Sequence, residues 1–423
     1  MSRADLVLSA CRQVLTCRGA APKRKDALSD VGLLENAWLA SLAGTLVFVG
    51  SEKDFRREVQ PTDRAQVVDG RDLVVLPGLV DCHTHLPFAG TREEEFRLRL
   101  KGWTYQQLAE RGLGILTTVK ATRAASLEEI LSLCLQRLDR MLLNGTTTVE
   151  AKSGYGLSPE DEVKQLQALK QAAASHPLDI VPTFMGAHEV PPEYRDRREE
   201  YIRLLEEKML PAVKEGRLAE FFDVFCEKGV FSPEETRRLA EAARAAGLGI
   251  KIHADEFTDL GGAGLAAELG ARSAEHLIAV SEDGIARLAQ SATAAVLLPG
   301  VSFFLRLEKR APARKLIDQG AIVALASDFN PGSSMVSSML LVLRLGVFTL
   351  GLNLEEAVNA CTANAAYALG REARVGRLEP GLQADLLLCD IPNYAFLAYE
   401  PDRNPIRHVV KKGRFVVRDG RRV

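Results

Sequence analysis

The chain has 423 residues, 47% of them hydrophobic and 26% charged, an ordinary globular composition with enough apolar material for a large core. Its formal net charge of −2 offers nucleic acid and anionic membrane no electrostatic attraction. No run approaches the ~18 apolar residues of a membrane helix, so neither partner is expected.

The N-terminus shows no signal-peptide core. Seven cysteines (Cys11, Cys17, Cys82, Cys134, Cys226, Cys361 and Cys389) are scattered without a CxxC pair, as expected of reduced thiols in a cytoplasmic protein. Residues 5–9 and 45–49 are apolar and β-branched and predict short strands. Residues 31–42 carry the one helix-like period of this region, and residues 53–64 read as a charged interruption. At the far end, residues 384–389 and 407–410 are again strand-like, and Lys412-Gly413-Arg414 predicts a hairpin turn before residues 415–417. Neither end has the material for its own core. Together they predict one small composite β-sandwich, from residues 1–72 and 376–423, around a central domain of residues 73–375.

In that centre, short apolar runs alternate with amphipathic helical patterns. Residues 73–80, 146–151, 180–185, 221–225, 249–252, 273–275, 294–298 and 322–326 are eight candidate strands. Helical periods occupy 128–142, 160–174, 234–246 and 281–289. Ser158-Pro159-Glu160-Asp161 and Ser232-Pro233-Glu234-Glu235 are helix starts, with serine at the N-cap, proline next and acids in the first turn. Eight such units predict an α/β protein with a (β/α)8 TIM-like barrel. A doubly wound open sheet is the alternative, but its phosphate-binding glycine fingerprint is absent, and Gly112-Leu113-Gly114-Ile115 does not supply it. The long stretch between residues 85 and 146 is expected to carry extra helices over the barrel mouth.

Barrels of this kind do their chemistry at the C-terminal strand ends. His83 and His85 close the first run, and side chains two apart share a strand face. Later ends bring Glu150, Lys152 and Tyr155, then His188 and Glu189, Glu227 and Lys228, His253, Asp255 and Glu256, His276, and finally Asp328 and Asn330. Five of the seven histidines fall on this face. His83, His85, His253 and Asp328 form a set that suits one zinc or iron ion per chain without selecting between them. A metal so held lowers the pKa of its bound water. Glu256 is either the general base, and later acid, for that water or a solvated loop carboxylate. Lys152 is either a carbamylated ligand bridging two metals or a packing or surface lysine, and one metal already has enough ligands without it. Arg92 is either loop surface or a bidentate clamp for a substrate carboxylate. Residues 93–100 read as a plain charged helix face.

The stretch Pro77-Gly78-Leu79-Val80-Asp81-Cys82-His83-Thr84-His85, with a later histidine and a strand-8 aspartate, resembles the amidohydrolase superfamily. Lys152-Ser153-Gly154-Tyr155-Gly156-Leu157, Gly186-Ala187-His188-Glu189, His253-Ala254-Asp255-Glu256-Phe257 and Ser327-Asp328-Phe329-Asn330-Pro331-Gly332-Ser333 are similar to the imidazolonepropionase family within it. The resemblance implies hydrolysis of 4-imidazolone-5-propanoate to N-formimidoyl-L-glutamate, one metal on His83, His85, His253 and Asp328, and a homodimer. It also implies a pocket lined by Arg92, Tyr155, His188, Asn330, Gly332 and Ser333. On that basis Arg92 is expected to meet the propionate tail. Tyr155 and the turn at residues 330–333 are expected to donate to substrate oxygens. His188 is expected to polarise the ring carbonyl, and His276 to support the reacting water. The rival enzyme is another amidohydrolase, such as a cyclic amidine deaminase, which would release ammonia. A catalytically dead binding barrel would be expected to have lost metal ligands that this chain keeps.

Overall fold

The computed structural model describes residues 1–103, 107 and 113–423. The predicted run at residues 73–80 is two strands in two different sheets. Val74–Pro77 pairs with Leu386–Cys389 from the far end of the chain and with Gln13 and Val14. Leu79–Asp81 pairs with Thr146, Thr148 and Val149 in the central sheet. The break falls at Gly78, whose backbone runs so close to the next strand that a Cβ there would lie 2.2 Å from Thr147 Oγ1. A side chain at this joint would push the two sheets apart.

The terminal segments build one nine-stranded sheet. Ser2–Leu15 lies near its middle, flanked by Leu33–Leu42 and by Val59–Asp69 and Val74–Pro77. Alternate residues face opposite sides. Leu6, Leu8, Val75, Leu386, Leu388 and Val410 share one apolar cluster inside the sheet unit. Val74, Leu76, Leu387 and Val409 join the large core that holds the barrel helices. Two expectations fail here. Within residues 31–42, Leu33–Leu42 form a strand and no helix, because Ala43 and Gly44, both at positive φ, turn the chain straight into Thr45–Gly50. Residues 53–64 are no interruption: Ser51 caps a helix over Glu52–Glu58, and Val59–Asp69 then runs as an edge strand.

Among the described residues the centre is an eight-stranded parallel sheet. Its strands are Leu79–Asp81, Thr146–Lys152, Asp179–Ala187, Phe221–Cys226, Gly249–Ala254, Ser273–His276, Ala294–Leu297 and Ile322–Leu325, called barrel strands 1 to 8. Closure occurs beyond the formal ends of strands 1 and 8. The Asp328 amide donates to the His83 carbonyl and the His85 amide to the Phe329 carbonyl, both at 3.0 Å. The same seam carries Ser327 Oγ on Asp81. Ser126 and Ser232 begin helices Leu127–Leu143 and Pro233–Ala245 with full capping boxes. The connection after strand 1 holds helices Glu93–Leu100, Ile115–Ala124 and Leu127–Leu143, as the length of that stretch implies. The weak glycine pattern at residues 112–115 begins outside the described residues. Among those residues no helix is long and apolar enough to cross a membrane.

Candidate metal centre and substrate cavity

Strand geometry brings His83 and His85 to one point, as the i, i+2 spacing requires. His83 Nε2 lies 3.2 Å and His85 Nε2 3.3 Å from Asp328 Oδ1. His253 Nε2 lies 3.3 Å from His85 Nε2. All four residues are buried. Asp328 reaches the site from a left-handed backbone conformation, φ 50°, just past strand 8; such strain persists where the surroundings impose it.

The donor set has the features of a cation site. His83 Nε2 and Asp328 Oδ1 are buried without any hydrogen bond. Water would ordinarily satisfy such groups, and leaving them bare is costly. Donors held about 2.0–2.1 Å from a tetrahedral ion are roughly 3.3 Å apart, which is the spacing seen between these atoms. His276 stands beside them: its ring centroid is 5.0 Å from that of His253, and Nδ1 is 3.5 Å from Glu256 Oε1.

Below the imidazoles lies a layer of buried charge in which Asp223, Lys251 and Glu275 join Glu150 and Lys152. His83 Nδ1 is 2.9 Å from Glu275 Oε2, and His253 Nδ1 is 2.9 Å from Asp223 Oδ1. Both contacts favour protons on Nδ1 and leave Nε2 free for a metal. Lys152 Nζ sits 2.6 Å from Asp223 and 2.8 Å from Glu150, and Lys251 Nζ 2.8 Å from Glu150 and 3.0 Å from Glu275. Burial opposes the charge on Lys152, but Asp223, Glu150 and Glu275 hold its pKa well above the ordinary value. A lysine so engaged is a packing lysine, as expected, and not a surface one. Asp223, Lys251 and Glu275 carry a signal in the sequence, namely a charged residue inside an otherwise apolar strand run.

His85, His253 and Asp328 border a cavity of about 210 Å³, and Arg92, Tyr155, His188, Glu256, His276, Asn330, Gly332 and Ser333 border it too. The cavity therefore gathers every residue singled out above for catalysis or substrate and three of the four singled out for metal, with His83 buried behind them, its Nε2 3.2 Å from Asp328 Oδ1. Their hydrogen bonds, however, redistribute several roles. Glu162 accepts from the amides of Gly154, Gly156 and Leu157, which fixes the loop carrying Tyr155. His188 Nδ1 is 2.9 Å from the Gly154 carbonyl. A carbonyl only accepts, so Nδ1 carries the proton. Burial, with His85 and His253 nearby, keeps the ring neutral by lowering its pKa well below the ordinary value. His188 thus shows the cavity an acceptor, where polarising a carbonyl would need a donor.

The turn at residues 330–333 also differs from expectation. Asn330 Oδ1 accepts from the Gly332 and Ser333 amides, both at 2.8 Å, and Asn330 Nδ2 donates to the Asp328 carbonyl and to Ser333 Oγ. These amides hold the turn and are not available to substrate oxygens. Arg92 is not loop surface: Nε and Nη2 lie 2.8 and 2.7 Å from the two oxygens of buried Glu95. Residues 93–100 are correspondingly not a plain charged face, since Glu95 and Arg99 line the cavity. Glu256 is buried as well as central. Burial, reinforced by Asp328 and Glu227, pushes its carboxyl well above the usual carboxylate range, which rules out the solvated-loop alternative and suits a group that carries a proton. Asp255 instead caps the following helix by accepting from the amides of Gly262 and Ala263.

The model of the amidohydrolase family matches residues 74–416. The imidazolonepropionase of Symbiobacterium thermophilum is 51% identical over 100% of this chain and 99% of its own. That of Geobacillus kaustophilus is 49% identical over 98% of this chain and 99% of its own. Among solved structures, a zinc-bound adenosine deaminase from Xanthomonas campestris superposes with a TM-score of 0.74 at 19% identity, covering 100% of this chain and 95% of that one. The zinc complex of an atrazine chlorohydrolase from Arthrobacter aurescens gives 0.71 at 17% identity, covering 99% and 96%. At such identities the superpositions describe the shared fold.

Proposed function

The chain belongs to the imidazolonepropionase family of the amidohydrolases, and from that premise we propose how its own residues perform the family reaction. It hydrolyses 4-imidazolone-5-propanoate to N-formimidoyl-L-glutamate, a step of histidine degradation. The full-length relatives do not favour the deaminase alternative. The cofactor is a divalent metal, and one zinc or iron ion on His83, His85, His253 and Asp328 is the assignment that the bare donor atoms support. When bound, the metal supplies a lowered pKa for water and polarises a carbonyl.

The chain's residues do the rest. Water adds to the ring carbonyl carbon, and Glu256 takes its proton, with His276 Nδ1 3.5 Å away to steady the carboxyl. The bond from that carbon to the ring nitrogen then breaks, and Glu256 returns the proton to the departing nitrogen, so the overall change is the addition of one water. His188 accepts a hydrogen bond from the ring through its unprotonated Nε2. Tyr155, its phenol ring 5.3 Å from the His188 ring, closes the cavity over the substrate. The protein works in the cytoplasm, in keeping with seven buried free cysteines. It works as a homodimer: Phe303 and Phe348 are exposed on helices Pro299–Phe304 and Met339–Leu350, which pack together.

The carrying observation is the convergence of His85, His253, Asp328, Glu256 and Arg92 on one cavity, with His83 against Asp328 at its base. The test is ultraviolet absorbance of freshly generated imidazolonepropanoate with the purified protein, before and after chelation. The reading requires loss of the ring chromophore that stops on chelation and returns with zinc or iron. Full metal occupancy without turnover would reject the substrate, and ammonia release from cyclic amidines would then establish the deaminase. Sedimentation at micromolar concentration tests the dimer.

A further inference from the structure

The propionate tail, on the function proposed above, needs positive charge that is not already spent. Arg92 is partly spent, since two of its nitrogens lie against the Glu95 carboxylate. Only Nη1 is left, and it lies over Gly332, where a Cβ would fall 2.0 Å from it. The Gly332 and Ser333 amides are engaged by Asn330. Arg99 borders the same cavity, one helical turn beyond Glu95. Its Nη2 donates to the Gly332 carbonyl at 2.7 Å, while its Nε is buried with no hydrogen-bond partner and 4.0 Å from Glu95. Its planar head packs 5.7 Å from the Phe304 ring, which helps fix the guanidinium. Two arginines and one glutamate leave one net positive charge at this part of the cavity. The other carboxylates facing the cavity, Glu256 and Asp328, belong to the metal end.

We infer that Arg99 is a specificity-determining residue that, together with Nη1 of Arg92, binds the carboxylate tail of the substrate. The Arg99 guanidinium borders the cavity next to Arg92 and is held there by the Gly332 carbonyl, so a carboxylate placed between them meets two oriented cations.

The test compares imidazolonepropanoate with the same ring bearing the neutral amide of the tail, using metal-loaded wild type, Arg99→Met and Arg99→Gln. Wild type is expected to prefer the charged tail by roughly tenfold or more in kcat/KM. Arg99→Met should raise KM for the charged substrate by about tenfold, leave kcat within about threefold, and leave KM for the amide unchanged. An unchanged KM, or an equal rise for both tails, overturns the inference; the equal rise would mark a merely structural residue. Thermal unfolding checks that each variant folds, and Arg99→Gln replaces Arg99→Met if that variant does not. Wild type alone also decides: equal kcat/KM for the two tails overturns the role of Arg99 with the function intact. Absence of any turnover of imidazolonepropanoate by wild type overturns the function and this inference together.

Discussion

At the scale of single residues, the cavity assigns each polar side chain by what its other atoms already hold. Glu256 has burial, Asp328 and Glu227 raising its proton affinity, and nothing ties it to the metal donors. Glu256→Gln should therefore keep its metal while kcat falls by about 10²–10⁴-fold. Metal content by atomic spectroscopy alongside steady-state kinetics measures this, and a near-native rate would remove Glu256 from the reaction. Arg92 has two duties, because its partner Glu95 is only 4% exposed. Arg92→Ala should raise KM and also cost ~3 kcal/mol, since it removes both hydrogen bonds to a buried carboxylate and leaves it only the more distant Arg99. The double variant Arg92→Ala/Glu95→Ala should recover most of that stability in thermal unfolding while KM stays high. If the double variant recovered KM as well, Arg92 would have no direct role in binding.

At the scale of elements, the terminal sheet and the barrel are locked by charge as well as by apolar packing. Asp179, at the start of barrel strand 3, meets Lys411 at 2.8 Å and Lys412 at 2.6 Å, and Lys411 also meets Asp385 at 2.7 Å. Burial alone would raise the Asp179 carboxyl, but Lys411, Gln383 and Lys412 hold it well below the usual carboxylate range. A folded-state pKa below the unfolded one adds stability above the unfolded pKa of ~3.9, and that stability is lost as pH falls through the folded value. With 26% of the Asp179 side chain exposed, the contribution is about 1–2 kcal/mol after solvent screening. Asp179→Asn should thus unfold earlier than wild type at pH 7, and the gap should close below about pH 4. Unfolding curves across that range check it, and a gap that persists in acid would assign the effect to packing.

At the scale of the whole molecule, the metal donors span the barrel, from strand 1 through strand 5 to the seam after strand 8. Any ion they hold ties distant segments together, and its binding free energy adds to the folding free energy. Chelation should lower the unfolding midpoint by on the order of 5 °C, and zinc or iron should restore it. Calorimetry with metal analysis measures this. An unchanged midpoint in protein shown to be metal-free would mean that the centre is uncoupled from the fold. The buried lysine–carboxylate layer beneath the site makes such coupling expected, because Lys152 and Lys251 brace the acids that touch His83 and His253.

Much of this architecture could be read from local pattern. Strand and helix periods, serine–proline helix starts and the His83/His85 spacing are properties of neighbouring residues, and short-range sterics decide them wherever the chain goes. The sequence by itself therefore determined the alternation of eight strands with helices, the convergence of His83 and His85, and the identity of the cavity-lining loops. Only the tertiary structure decided the rest. Gly78 divides one apolar run between two sheets because Thr147 presses on it from another strand. Leu33–Leu42 is a strand because a two-residue turn and two partner strands outweigh a weak helical period. Arg92 meets Glu95, His188 meets the Gly154 carbonyl, and five charged side chains meet inside the barrel. In each case the energy of a polar group depends on a partner that the fold supplies, and burial makes that partner obligatory.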